Sequence, residues 1–416
     1  MPGISRQLTL SAARAHIHER CLQPSPTTGT VGLECEWHVV PDRNLLGTVS
    51  LFALRDMIDP LLPLPGGSSI TYEPGGQIEL SGPAAIGFGA AHEAMARDID
   101  IVRRVLAMHD IELVGAGVDP WRSPRRELHA PRYDAMETYF DTHGPHGRVM
   151  MTRTASVQVN LDNGRAEQME SRWRLAHALG PTLVAMFANS PLAEGVPTGW
   201  RSTRLANWWA MDRSRTGPVG DHTSMASWAD YALGARVMLM RAKADCYVPV
   251  TTALTFGGWI EQGHILGHPT MDDLDYHLTT LFPPVRPRGW LEIRYLDALS
   301  LHWWPVVAAV TTVLMDDEEA ASIAQRATRE TVGRWMVAAR DALGDDDLAT
   351  SAATCMGAAL DALDRAHVDG RLLDLCADYA DRYVERRRTP ADDSLDAWWT
   401  RAEPCPATNA RVAQWV

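Results

Sequence analysis

The sequence predicts an α+β protein with a sheet-rich core and a helical C-terminal region, and three observations lead to that class. Four short stretches alternate polar and apolar residues with the period of two expected of half-buried strands: VGLECEWHVV (31–40), ITYEPGGQIELSG (70–82), ASVQVNLDNG (155–164) and WLEIRYLDAL (290–299). Between them lie segments with apolar residues at helical spacing, such as 86–110 and 171–190. Beyond Pro305 the chain becomes Ala-rich and helical to about residue 387, with breaks at LGDDD (343–347) and RTPADDSL (388–395). The 416 residues fit one large domain or two ordinary ones. One domain over 1–416 is expected, with its sheet-rich core over 28–300 and a mainly helical scaffold over 301–416.

In chain order, SAARAHIHERCL (11–22) predicts a short helix, and PSPTTGTVG (24–32) turns the chain into the first strand. SLFALRDMIDPLL (50–62) reads as a helix that PLPGGSS (63–69) terminates. The helical 86–110 then feeds the strand-like IELVGAGVD (111–119), a βαβ-like alternation. From Pro120 to Gly147 the chain is expected to be loop-rich, basic and aromatic, a composition that suits a lid or binding loop. SRWRLAHALGPTLVAMFANS (171–190) reads as an amphipathic helix, and LANWWAMDRSRTGPVGDHTS (205–224) as a long irregular connection. There are no internal repeats.

Composition excludes several classes. No stretch approaches the roughly 18 apolar residues of a membrane span, and MPGISRQLTL lacks a signal-peptide core, so a cytoplasmic protein with no membrane partner is expected. The six cysteines contain no CxxC pair, which argues against a zinc finger or a disulfide framework. A net charge of -13 without a basic stretch argues against nucleic acid. Lys243 is the single lysine, so neither a GxxxxGK phosphate loop nor the kinase lysine can be present; any ATP must be handled by arginine and metal ions.

The strand faces carry the chemistry. Glu34 and Glu36 share one side of the first strand with His38, while Cys35 and Trp37 take the other. Glu73 and Glu79 lie in the second segment, Gln158, Asn160 and Asp162 in the third, and Glu292 with Arg294 in the fourth. One such face usually meets water. Four that converge would make an acidic cavity whose oxygen ligands select Mg²⁺ or Mn²⁺. Zinc fits less well, because HEAMA (92–96) lacks the second histidine of HExxH, and His38 and Cys35 read as ordinary strand residues. No GxSxG elbow is present, and five carboxylates exceed what a glycosidase needs. Arg213 and Arg215 occupy a Gly-ended loop suited to gripping carboxylate or phosphate, with a solvated loop as the alternative.

GLECE, EPGGQIELSG, WWAMDRSRTG, WADYAL (228–233) and FPPVRPRGWLEIRYLD together resemble the glutamate-cysteine ligases of the plant and bacterial type, over roughly residues 28–400, with the ergothioneine-pathway branch most similar. The resemblance implies a glutamine-synthetase-like curved antiparallel sheet forming a funnel, backed by helices. It also implies ATP-dependent joining of glutamate to cysteine through γ-glutamyl phosphate. Glu34, Glu73 and Glu79 would hold one Mg²⁺ (or Mn²⁺), and Glu36 and Glu292 another. Gln158 stands where many relatives place a histidine, and would offer the second metal a neutral oxygen. Arg294, Glu79 and Glu292 would be catalytic, while Arg213, Arg215, Arg286, Gln158 and Asn160 would contact ATP or substrate. Segment 121–133 or 209–217 would close over the site. YALGAR (231–236) departs from the Asp-Val-Pro of plant relatives, at a place that bears on amino-acid selectivity. The alternatives are a ligase using a different amine and a non-catalytic metal- or metabolite-binding relative. A monomer is expected.

Overall fold

The computed structural model describes residues 7–25, 28–220, 222–243 and 245–401. Its strands are β1 (Thr30–Pro41), β2 (Ser69–Tyr72), β3 (Ile78–Ser81), β4 (Ala85–Ile86), β5 (Ile111–Val114), β6 (Ser156–Asp162), the small hairpin β7 (Leu192–Ala193) and β8 (Val196–Pro197), the hairpin β9 (Leu239–Lys243) and β10 (Cys246–Pro249), then β11 (Val285–Pro287) and β12 (Trp290–Asp297). The main sheet runs β11-β12-β6-β1-β3-β2, with β4 and β5 also paired to β1. Every pair within it is antiparallel.

Strict alternation explains the register. Val31, Leu33, Cys35 and Trp37 on β1, Ile78 and Leu80 on β3, Val157, Val159 and Leu161 on β6, and Leu291 and Ile293 on β12 are all buried. A one-residue slip would turn this apolar set toward solvent, at roughly 1.5–3 kcal/mol for each large side chain exposed. The buried face packs against helices Phe88–Ala107, Met169–Phe187 and Trp304–Asp316, so the polar face is left to form the site.

Several elements differ from the sequence reading. Helix Phe88–Ala107 joins β4 to β5, but both pair antiparallel with β1 and not with each other, so the βαβ-like alternation builds no parallel pair. Within 120–147, expected as loop, Pro131–Asp141 is a helix, and the last two residues begin helix His146–Arg153. The expected irregular connection contains helix Thr203–Met211, capped by the Ser202 hydroxyl accepting from the Leu205 N–H, and the short helix Arg213–Thr216. Helix Met169–Phe187 is buried on nearly all sides because it lies between the sheet and the C-terminal helices. Its Gly180 permits that approach: a Cβ there would fall 1.9 Å from the Trp335 ring. Pro390 begins a further helix, Pro390–Arg401, as suits a residue that needs no helical N–H partner, so helix continues past 387. Among the described residues no helix is long and apolar enough to cross a membrane.

Candidate active site: a cavity with an acidic and a basic pole

Residues directly opposite in antiparallel strands point to the same side. Glu34 pairs with Gln158 and Ser81, Glu36 with Glu79, and Glu292 with both Asn160 and Arg286. The polar faces of β11, β12, β6, β1 and β3 thus form one continuous row. Glu73 joins from the β2–β3 turn, where its N–H donates to the Gln77 carbonyl oxygen and its own carbonyl accepts from Gly76. Gly76 has φ +83°, and a Cβ on Gly75 would meet the Thr152 carbonyl oxygen at 2.0 Å, so EPGG requires both glycines. Glu34, Glu36, Glu73, Glu79, Gln158, Arg286, Glu292 and Arg294 all line one cavity of about 250 Å³.

The acidic pole is Glu36, Glu73 and Glu79, with Glu34 beside it. Glu36 accepts from the Ser156 N–H (2.9 Å), the Ser156 hydroxyl (3.0 Å) and Gln158 Nε2 (3.1 Å). Glu79 accepts from the hydroxyls of Thr71 (2.9 Å) and Ser81 (3.0 Å), and Glu34 from Asn160 Nδ2 (3.0 Å). Desolvation and then the Glu79 charge push the Glu36 carboxyl up to about 7. Desolvation, Glu36 and Glu79 push Glu73 up to about 8. Desolvation, Glu292 and Glu79 raise Glu34 as well. This negative charge has too little cation beside it.

The basic pole is built on Glu292. Its carboxylate is 1% exposed and meets Arg286 Nε at 2.5 Å, Arg294 Nη1 at 2.9 Å and Arg288 Nη1 at 3.3 Å. Burial opposes its ionisation, but Arg286 and Arg294 prevail and hold it well below the usual carboxylate range. Arg294 also donates to Gln158 Oε1 at 2.6 Å, which links the two poles through Gln158 and Glu36. Buried Nε atoms of Arg132, Arg204 and Arg294 lack a hydrogen-bond acceptor, and all three residues line the cavity. Unpartnered guanidinium donors in this cavity suit an anion such as phosphate.

The acidic pole fits a hard divalent cation in donor chemistry and in its uncompensated charge. Among the described residues no three His, Cys, Asp or Glu side chains are drawn together as a metal cage, and the carboxylates of Glu34, Glu36 and Glu79 are engaged by neighbouring donors. Glu292, expected to share a metal ion with Glu36, is engaged by Arg286, Arg288 and Arg294.

Other candidates from the sequence lie elsewhere. Arg213 is exposed. Arg215 is fully buried: it pairs with Asp212 at 2.9 Å, donates to the carbonyl oxygens of Thr280 and Arg236, and lies over the Tyr139 ring. Every donor is satisfied within the fold, so it holds the 212–216 segment in place and is not among the residues lining the charged cavity. Asn160 lines an adjoining groove. His38 hydrogen-bonds the Ala116 carbonyl oxygen at 3.0 Å, and desolvation lowers its pKa to about 4. Cys35 is buried on the opposite face.

Arg132, Arg204 and the apolar wall of Met136, Met150, Met151, Trp208 and Phe282 were not anticipated. Their signal was helical: Arg132 with Met136, and Arg204 with Trp208, are spaced i, i+4 on helices expected as loops. The Arg204 guanidinium lies 5.1 Å from the Trp208 ring centroid.

Residues 30–403 match the family profile described as glutamate-cysteine ligase family 2 (GCS2). The chain belongs to glutamate-cysteine ligase family 2. As a member of that family it is a ligase enzyme. Glutamate-cysteine ligase EgtA of Mycolicibacterium smegmatis is 46% identical over 392 residues, covering 92% of this chain and 90% of the relative. EgtA of Mycobacterium tuberculosis is 43% identical over 395 residues, covering 93% and 90%. The chloroplastic glutamate-cysteine ligase of Arabidopsis thaliana is 35% identical over 250 residues, covering 56% of this chain and 46% of the plant protein. The crystal structure of glutamate-cysteine ligase from Francisella tularensis in complex with AMP shares the fold, with a TM-score of 0.52 at 12% identity over 90% of this chain and 86% of that one.

Proposed function

We propose that this ligase uses ATP to join the side-chain carboxylate of glutamate to the amine of cysteine, giving γ-glutamylcysteine, and that the product enters ergothioneine synthesis. The EgtA relatives support the substrates and the pathway, since each spans nearly the whole chain at more than 40% identity. The observation that carries the reading is the pairing of opposite charges in one cavity. Glu36, Glu73 and Glu79 line it together with Arg204, Arg286 and Arg294, and Gln158 bonds both Glu36 and Arg294.

A glutamate carboxylate oxygen would bond to the γ-phosphorus of ATP as the bond to the β–γ bridging oxygen breaks, releasing ADP. The amine nitrogen then attacks the acyl carbon, phosphate leaves with the acyl oxygen, and the nitrogen loses a proton. Neither step needs a protein nucleophile, so catalysis rests on positioning and charge. Arg294, held by Glu292 and Gln158, keeps its charge in the buried site and faces the transferring phosphoryl group. Arg204, buried and in the field of Glu36, adds a second cation. Glu34, Glu73 and Glu79 would hold one Mg²⁺ and Glu36 the other, and the ions would neutralise phosphate charge. The Met136, Met150 and Met151 wall limits the water that would hydrolyse the acyl phosphate.

The test is ATP-dependent turnover with glutamate fixed and the amine varied. Cysteine is the expected preferred amine. Preference for a non-thiol amine would replace this reading with that of a different γ-glutamyl ligase.

A further inference from the structure

Strand β12 changes phase part-way along. Glu292 lies opposite Asn160 and Ile293 opposite Val159, but Leu296 lies opposite Val157 and Asp297 opposite Ser156. One extra residue therefore sits on β12 between Ile293 and Leu296, a β-bulge. Strict alternation would place Asp297 with Leu291, Ile293 and Tyr295 on the core face. The bulge turns it instead to the side of Ser156, whose N–H and hydroxyl both donate to Glu36. Bulges beside active sites commonly re-aim one side chain, and here that side chain is a carboxylate.

Asp297 is buried and is not among the residues lining the charged cavity. Its Oδ2 accepts from the Asn189 N–H at 3.0 Å and the Ser190 hydroxyl at 2.7 Å, and its Oδ1 from the Ser202 hydroxyl at 2.9 Å. Gly117 lies against it: a Cβ there would fall 2.4 Å from the carboxyl carbon. Each of these donors is neutral. A carboxylate taken out of water in this way calls for a cation within its field.

That cation is Arg204. The Ser190 hydroxyl oxygen accepts from the Arg204 N–H at 3.1 Å, and the Ser202 hydroxyl oxygen accepts from the Leu205 N–H at 3.3 Å as the cap of helix Thr203–Met211. At its other end Arg204 Nη2 donates to the Arg294 carbonyl oxygen at 2.9 Å. Arg204 is thus tied to β12 twice, through Ser190 at its backbone and directly at its guanidinium. The charges agree with the geometry. Asp297 is foremost among those that support the Arg204 guanidinium against burial, and Arg204 among those that support the Asp297 carboxylate.

We infer that Asp297 is a positioning residue for Arg204: through Ser190 and Ser202 it fixes the start of helix Thr203–Met211, so that the Arg204 guanidinium, with its unpartnered Nε, is held at the cavity. This rests on the reading above, in which Arg204 is a second cation on the transferring phosphoryl group. Asp297 itself touches no substrate. A carboxylate fits the place because both of its oxygens accept and because it carries the charge that Arg204 needs.

The experiment is a double-mutant cycle in the full chain: wild type, Asp297→Asn, Arg204→Met and the pair, with Ser190→Ala in place of Asp297→Asn as a second cycle. Each protein is measured for kcat with ATP, glutamate and cysteine, calorimetric affinity for ATP, and urea midpoint. Asp297→Asn keeps the size and is expected to lower kcat at least about tenfold, toward the hundredfold that moving a group by about 1 Å can cost. In the Arg204→Met background the same substitution is expected to lower kcat less than about twofold, whereas a purely structural role would cost the same with or without the guanidinium. Ser190→Ala cuts the link between the two residues and is expected to repeat the pattern.

Wild-type kcat in Asp297→Asn, or losses that simply add in the cycle, would overturn the inference. If Asp297→Asn does not fold, the Ser190 cycle decides, and additive losses there would do the same. Failure of the reaction itself has a different signature. Wild type would bind ATP yet form no γ-glutamylcysteine, and the cycle is then read in ATP affinity: coupled losses keep Asp297 as the residue that places Arg204, and additive ones remove it.

Discussion

Glu36 and Glu79 face each other directly across β1 and β3, two carboxylates paired in the sheet with Glu73 adding a third from the turn. Like charges so placed destabilise a sheet unless a cation lies between them. The local donors, Ser156 and Gln158 for Glu36, Thr71 and Ser81 for Glu79, are neutral, and burial and Glu79 raise the Glu36 carboxyl despite Arg204 and Arg294. Such an arrangement in an ordinary structural sheet would be a liability, and under the proposed reaction it is where a divalent cation would be held.

Glu79→Gln keeps the size and the hydrogen bonds from Thr71 and Ser81 while removing one charge. Turnover with ATP, glutamate and cysteine is expected to fall at least about a hundredfold, the scale of losing a principal electrostatic contributor. Thermal stability measured without divalent cation is expected to hold or rise, because a repulsion has been removed. Near-normal kcat would show that this carboxylate holds no essential ion.

Arg294→Lys tests the basic pole. Arg294 Nη1 reaches both Glu292 and Gln158 Oε1, and the compact, strongly hydrated ammonium of a lysine does not replace the planar guanidinium whose Nε is left free in the cavity. kcat is expected to drop by on the order of 10²–10³. The KM for cysteine is expected to change little. A Lys variant with wild-type kcat would remove Arg294 from the phosphoryl-transfer step.

Much of the site was legible because a strand has an exact period of two. Glu34, Glu36, Glu79, Gln158 and Glu292 could be placed on one side of their strands from spacing alone, and the fold brings those sides together. What spacing could not supply was the pairing of strands distant in sequence, such as β1 with β6. Arg132 and Arg204 were hidden because Pro131 and the Trp-rich NWWAM suggested loops, whereas Pro131 starts a helix and the tryptophans pack one. Arg215 misled for the opposite reason: a Gly-ended, Arg-bearing loop resembles an anion grip until Asp212, three residues earlier in the same stretch, is seen to claim it.

Arg215→Met separates scaffold from site. It would strand the Asp212 carboxylate and the carbonyl oxygens of Thr280 and Arg236 in the interior, which costs about 3–5 kcal/mol. The urea midpoint is expected to fall accordingly, while the KM values for ATP and glutamate of the folded fraction stay near wild type. A selective rise in either KM at unchanged stability would return Arg215 to substrate binding.

Acid stability is set in part by three histidines buried without charge. Desolvation lowers His38 to about 4 and lowers His177 and His277 to about 3. Each hydrogen-bonds a backbone carbonyl oxygen, of Ala116, Trp173 and Ala232 respectively. In the unfolded chain a histidine takes its proton near pH 6.5, so between that pH and its folded value the unfolded state binds more protons. The stability these groups contribute is therefore complete above about pH 6.5 and is lost as pH falls, by about 1.4 kcal/mol per pH unit for each histidine. His277→Gln, which keeps a donor for the Ala232 carbonyl oxygen, should make the acid limb of a urea-midpoint profile shallower by about one proton's slope between pH 6 and 4. An acid limb as steep as that of wild type would mean that His277 is already protonated in the folded enzyme, or open to water there.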